Sequence, residues 1–487
     1  MNQPLNSQKI LMPNGQYLSV PQAMERAILH HQSGRVPRAA EIYSRILKEQ
    51  PVYADAKHLL GVAKRQQGEF NEAIKLINSA IKINPKVAMY HNNLGQAYRA
   101  VGDLNKAKAA TSKAISLDVN MPESYVNFGA IAMEKGDFDA AISAYKKALV
   151  LRKNYTDALL GLGDSYLKSD QVETGLHQFQ VILAYAKGNI AALTRVGIAL
   201  RLLDRIDEAI EHYKKSIFHF PDEADLYNNL IYMYQRENRF EEAAECLRKL
   251  LKLTPDDAVA RHNLNALEGF TTSTAPAEYI REIFDNYADN FESHLVNKLG
   301  YHIPEMLLEA ILKSTSKRSG LSVLDLGCGT GLMGVMLGDY CSYLAGVDLA
   351  PKMIEHARTK EVYNELVVGD IEEFMKNKES ASCDIVVAAD VFVYIGELNA
   401  VFSEAKRLLS PGGIFSFSVE KAVDEKSSYV LNETGRYGHS KKFLQKLQKK
   451  YGFIERYFEK AHIRNNHDKP VYGYLCVYSM SEQCSGG

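Results

Sequence analysis

Four aspartates and a run of glycines stand where a small charged ligand can be held. Asp325 lies two residues ahead of Gly327-Cys328-Gly329-Thr330-Gly331, and Asp348, Asp370 and Asp390 each follow a short apolar run (AGVD, VVGD, VVAAD). The glycine loop follows the first apolar run directly and precedes a helical pattern, so its backbone amides can approach a ligand with no side chain in the way. Gly329-Thr-Gly331-Leu-Met-Gly334 also fits the dinucleotide pattern GxGxxG. Asp325 decides against that pattern, because an acid there repels a pyrophosphate and suits a cationic amine. Cys328 reads as a small buried side chain, not a nucleophile. Asp390 reads as a general base or substrate clamp, or else as the cap of the next helix. His439, in Gly435-Arg436-Tyr437-Gly438-His439, titrates near neutrality and is expected on a flexible loop as a base, with helix capping by it or by Ser440 as the alternative. No histidine, His30-His31 and His462 with His467 included, has ligand spacing to acids or thiols, so no metal is expected.

These residues need a sheet to position them. From Ser322 strands alternate with helices through SVLDLG, YLAGVDLA, ELVVGD, CDIVVAAD and LLSPGGIFSFSVE, which predicts a doubly wound parallel sheet with ligands beyond the strand C-termini. FIERYFEKAHIR and VYGYLCVYSM read as a closing antiparallel pair.

The motif VLDLGCGTG resembles the first motif of class I S-adenosylmethionine-dependent methyltransferases, and the likeness extends over about 277–480. It implies a Rossmann-like methyltransferase domain with S-adenosylmethionine as methyl donor, bound by Asp325, Gly327, Cys328, Gly329, Thr330 and Gly331. It also implies Asp348 and Leu349 at the ribose, Met353 and Ile371 on the adenine faces, Asp370 on the adenine amino group, and Ala389 through Tyr394 flanking the methyl. The stretch 279–307 resembles the N-terminal helices that close over the donor in small-molecule methyltransferases. Tyr287 and Phe291 there face the sulfonium or carboxylate, or else pack as core. Methyl transfer is an in-line displacement that needs alignment and, for some acceptors, removal of a proton.

The first half is a repeat of 34 residues without insertion. Gly61, Gly95, Gly129, Gly163 and Gly197 stand 34 apart, as do Ala39, Ala73, Ala107, Ala141, Gly175, Ala209 and Ala243. Gly34, Gly68, Gly102, Gly136, Asp170, Asp204 and Asn238 are residue types that tolerate a left-handed turn, and Pro51, Pro85, Pro221 and Pro255 mark the exits from units. This resembles the tetratricopeptide repeat and implies an α-solenoid of seven units. With a capping helix at 258–270 the solenoid spans 20–270, and TTSTAP (271–276) reads as a linker to the methyltransferase domain at 277–480. Asn93, Asn127 and Asn229 share one position on the inner face. Either they grip a peptide backbone, as in the repeats of protein O-linked N-acetylglucosamine transferases that these segments resemble, or they bond between neighbouring helices. The concave groove is the natural site for a protein or peptide partner.

Composition frames these readings. The 487 residues are 46% hydrophobic and 24% charged with net charge −1, an ordinary globular balance. Residues 1–200 carry 24 basic against 16 acidic groups and 201–400 carry 20 against 34, yet no dense basic stripe with interleaved aromatics argues for nucleic acid. The six cysteines show no paired spacing, the first twenty residues have no apolar signal core, and no apolar run spans a membrane, so a cytoplasmic protein with reduced thiols is expected. The leading expectation is a methyltransferase acting on a protein or peptide recruited by the repeats. The alternatives are a small-molecule carboxylate or hydroxyl methyltransferase localised by them, a silent scaffold, or a nicotinamide dehydrogenase.

Overall fold

The computed structural model describes residues 9–12, 15–288, 291–292, 301–466 and 469–482. Their contacts divide the chain into two compact units, Met1–Asn229 and Leu230–Gly487. Parts of the 279–307 stretch, together with His467 and Cys484, lie outside the described residues.

The first unit is a tetratricopeptide stack. Its helices run from α1 (Val20–Gln32) and α2 (Val36–Glu49) to α11 (Ile190–Leu202) and α12 (Ile206–His219), alternating 13 and 14 residues, and each packs on the next. The glycine series explains the fit. A Cβ at Gly61, Gly95, Gly129, Gly163 or Gly197 would lie 2.1–2.8 Å from the side chain sixteen residues later, respectively Ile77, Thr111, Tyr145, Phe179 and Tyr213. In these five units the first helix thus gives up a side chain so that the second can insert one. The six turn positions Gly34, Gly68, Gly102, Gly136, Asp170 and Asp204 hold φ between +58° and +82°, and Asn238, in the second unit, holds +54°. A short hairpin, β1 (Lys9–Leu11) with β2 (Tyr17–Ser19), precedes the stack and buries Ile10 and Met12 against the first hairpin of helices. This hairpin lies ahead of the 34-residue periodicity and carries no trace of it.

The second unit is built on a mixed sheet. Strands β3 (Leu321–Leu326), β4 (Cys341–Asp348), β5 (Glu365–Val368), β6 (Cys383–Ala388), β7 (Leu409–Lys421), β10 (Ile454–Asn466) and β11 (Lys469–Ser479) lie in the order β10-β11-β7-β6-β3-β4-β5. The pairs from β7 to β5 are parallel, whereas β11 is antiparallel to both β7 and β10. Small β8 (Tyr429–Leu431) and β9 (Tyr437–His439) extend β7. Successive residues go to opposite faces. Leu324, Val386 and Phe415 pack with Phe374, Phe402 and Leu447 on one side, while Val323, Ile385 and Ile414 pack with Ile303, Leu307 and Met333 on the other.

Two expectations fail at the start of this unit. The helix Ala258–Glu268, expected as a polar cap over an open end, buries Ala260, His262 and Ala266. His262 Nε2 bonds the Gly435 carbonyl at 3.0 Å, and its ring lies 4.5 Å from that of Tyr279. The segment 271–276, expected as a linker, is held along its length. Thr271 Oγ1 accepts from Leu431 N–H, and Thr272 Oγ1 bonds the Tyr437 hydroxyl at 2.5 Å. The Ser273 carbonyl accepts from the N–H groups of Gly396 and Glu397, and Ala275 N–H donates to the Tyr394 carbonyl. Its backbone and its threonine hydroxyls thus pair with the 394–397 loop and with β8 and β9.

Candidate functional site

The aspartates gather at the C-terminal edge of the parallel strands. Asp325 is near the end of β3, Asp348 ends β4, and Asp370 and Asp390 each stand two residues beyond β5 and β6. The loop after β3 folds back on itself. Cys328 N–H donates to the Val347 carbonyl at 3.0 Å and Gly331 N–H to the Cys328 carbonyl at 2.9 Å. Gly327 sits at φ +63°, and a Cβ there would fall 2.5 Å from Val391. Asp348 fixes the loop, with Oδ2 accepting from Gly329 N–H at 3.0 Å and Oδ1 from Ala350 N–H at 2.9 Å.

Two cavities flank this loop. The larger, of about 340 Å³, is lined by Gly327, Asp348, Leu349, Asp370, Ile371, Asp390, Val391, Tyr394 and Ile395. Its far wall is Thr274–Ala277 with Ile280 and Phe284 of the helix Ala277–Tyr287. The smaller, of about 50 Å³, lies against Asp325, Cys328, Gly329, Thr330, Ala389, Tyr301 and Phe291.

Burial sets the electrostatics. Loss of water pushes Asp325 up to about 7, opposed by the Tyr363 hydroxyl that donates to its Oδ2 at 2.6 Å and reinforced by the charge of Asp348. Burial likewise raises Asp348 to about 6, against the two backbone N–H groups it accepts from. Asp370 Oδ1 caps the helix Ile371–Lys376 through the N–H groups of Glu372 and Glu373 while its residue still lines the larger cavity. The Cys328 thiol is driven well above its ordinary value by burial and by Asp325, so it is no nucleophile.

Three candidates stand elsewhere than expected. His439 is on no flexible loop: it is fully buried in β9, its Nε2 bonds the Gly396 carbonyl at 3.1 Å, its ring stacks on Phe443, and burial lowers it to about 4. It lines neither cavity, because β9 adds to the sheet and turns the side chain into the core. Ser440, not His439, caps the following helix. Met353 is wholly buried with Ala350 and Ala288, beneath the larger cavity's wall and not in it. Tyr287 lies edge-on to Phe291 at 5.6 Å and lines neither cavity, whereas Phe284, one turn earlier, does line the larger one.

In the repeats, the inner-face asparagines turn their amide donors toward the protein. Asn93 Nδ2 meets His58 Nε2 at 2.8 Å, Asn127 Nδ2 donates to Asn92 Oδ1 at 2.9 Å, and Asn229 Nδ2 donates to the Asp225 carbonyl at 2.7 Å. The first two join successive first helices, which is the alternative to gripping a peptide. Sequence reasoning missed Tyr363 and the 274–277 wall. Tyr363 lies 38 residues from Asp325 with no motif around it, and Thr274–Ala277 looked like a linker because its composition is one.

Among the described residues no group of three potential ligands could hold a metal, and no helix is long and apolar enough to cross a membrane. Family models match residues 324–417 as a methyltransferase domain, 61–102 and 129–170 as TPR repeat, 90–120 as tetratricopeptide repeat, and 194–257 as YpiA-like C-terminal tetratricopeptide repeats. A malonyl-[acyl-carrier protein] O-methyltransferase of Serratia marcescens is 33% identical over 110 residues, 23% of this chain and 42% of that protein. One of Yersinia pestis is 29% identical over 150 residues, covering 30% and 52%. The chain thus spans about half the length of the curated relatives it matches. A solved tetratricopeptide repeat protein from Parabacteroides merdae aligns over 51% of this chain and 98% of its own at 16% identity, with a TM-score of 0.41.

Proposed function

From a chain that joins tetratricopeptide repeats to a methyltransferase domain, we infer a methyltransferase that uses S-adenosylmethionine and acts on a protein or peptide recruited by the repeats. The observation that carries the methyl-transfer reading is the acid-lined cavity at the strand ends, with Asp348 tied to the glycine loop. The residues suit this donor. Asp325 and the buried Thr330 Oγ1, which has no partner among the described residues, offer an acceptor and a donor for an amino acid's amine and carboxylate. Asp348 suits a ribose diol, since each oxygen accepts one backbone N–H and keeps a second lone pair. Asp370 and Ile371 suit a purine edge and face. When bound, the donor supplies an electrophilic methyl on a sulfonium. The chain's part is to align the acceptor, exclude water with Ile280, Phe284 and the 274–277 wall, and take up a proton.

Support for a protein acceptor comes from the repeats. A groove of about 600 Å³ on the first helices of the opening units is lined by Met24, Ile28, Leu29, Leu59, Val87 and Met89, with Leu29 55% and Met89 42% exposed. A tethered partner raises the local concentration of its own acceptor group.

Calorimetric titration of the full chain with S-adenosylmethionine and S-adenosylhomocysteine tests the donor, with NAD as control. Micromolar binding that Asp348→Ala weakens at least a hundredfold is expected, and binding of NAD alone would overturn the reading. For the acceptor, labelled methyl is expected in the protein fraction of cell extract and lost from it in Leu29→Asp/Met89→Asp. Label confined to small molecules would favour the localised small-molecule enzyme.

A further inference from the structure

We propose that the acceptor group carries its own proton, as an amine or hydroxyl held between Asp390 Oδ1 and the Tyr394 hydroxyl, and that it is not a carboxylate. This rests on the methyl-transfer reading above. Both residues line the larger cavity, Tyr394 is 4% exposed, and among the described residues neither Asp390 Oδ1 nor the Tyr394 hydroxyl has a hydrogen-bond partner. Buried polar atoms without partners are costly, and two of them on one cavity wall point to a ligand that satisfies both.

The charges around them choose its chemistry. Asp390 Oδ2 faces Arg464 Nη1 at 3.5 Å and Arg436 Nη1 at 3.9 Å. The same two guanidiniums pair with Glu420 Oε1, Arg436 at 3.5 Å and Arg464 closer still. Two cations are therefore matched by two carboxylates behind the wall, and among the described residues no Lys, Arg or His lines the cavity itself, whereas Asp348, Asp370 and Asp390 do. A carboxylate acceptor would meet like charge with no cation to receive it. An amine or hydroxyl instead donates to Asp390 Oδ1 and accepts from Tyr394.

The frame that aims them is firm. Asp390 holds φ +60°, its N–H donates to Ser418 Oγ at 2.8 Å, and the Arg436 guanidinium lies 5.5 Å from the Tyr394 ring centre. In the reaction the acceptor's lone pair forms the bond to the methyl carbon and the carbon–sulfur pair stays on sulfur. The acceptor's proton passes to Asp390, so the positive charge lost from sulfur is matched by the proton gained. Burial raises the Asp390 carboxyl above its ordinary range, which favours that uptake.

The test uses the full chain, methyl-tritiated S-adenosylmethionine and desalted cell extract, followed by mild alkali on the labelled product. Methyl esters release volatile methanol, whereas methyl ethers and N-methyl groups survive. Base-stable label is expected, with incorporation down about a hundredfold in Asp390→Asn and about tenfold in Tyr394→Phe. Calorimetric affinity for S-adenosylhomocysteine should stay within threefold in both variants, which also shows that they fold, asparagine being tolerant of the left-handed backbone. Volatile methanol, or a wild-type rate in Asp390→Asn, overturns the proposal. Failure of the wild type to bind the donor overturns the underlying reading with it.

Discussion

Glycine serves opposite ends in the two units. In the repeats Gly197 is an ordinary helical residue whose missing Cβ leaves room for the Tyr213 ring, a partner sixteen residues away in sequence. In the second unit Gly327 holds a left-handed backbone that strains most side chains and also lies under Val391. The first glycine is about volume and acts on stability. The second is about the path of the chain, and acts on what the loop can bind.

The largest effect should come from Gly327→Ala, which adds a methyl at 2.5 Å from Val391 and strains φ. Donor affinity should fall more than a hundredfold by calorimetry, with the repeats melting as before, and an unaffected affinity would break the contrast. Next, Gly197→Ala places a methyl 2.1 Å from Tyr213 and should cost the stack about 3 kcal/mol in denaturant unfolding, at unchanged donor affinity.

A smaller effect concerns the charge of the buried acids in the second unit. Asp325 and Asp348 titrate at about 7 and about 6 when folded, above their unfolded value, so without donor they favour the folded state most below about pH 4 and lose that contribution as pH rises through 6 to 7. A cationic donor needs them ionised. Its affinity should therefore fall about tenfold from pH 8 to pH 6, with proton release seen as a buffer-dependent heat of binding. Smallest is Asn127→Ala, which removes one bond to Asn92 and should cost about 1 kcal/mol of repeat stability. A loss of partner binding at unchanged stability would restore the peptide-gripping role.

The repeat was legible because every unit meets the same neighbour, so one packing solution is written again every 34 residues. The strand order and the acids at the strand ends were legible because local motifs carry them. His439 and Met353 misled for one reason: both sit beside motif residues, yet β9 pairing and the packing of Ala288 turn them inward, and neither contact is local. The Asp325–Tyr363 bond and the set of Asp390, Glu420, Arg436 and Arg464 join residues far apart in the chain and leave no periodic trace.

The docked segment 271–276 bears on how such chains are assembled in evolution. A crossover at residue 277 would deliver a sheet and glycine loop but leave Thr274, Ala275 and Pro276 behind with the repeats, opening one wall of the cavity. The piece that travels intact is longer and carries the helix Ala258–Glu268 with it. An exchange of repeat arrays that keeps this cavity walled is then constrained to cut before Ala258, so that helix of the old chain is inherited with every new array.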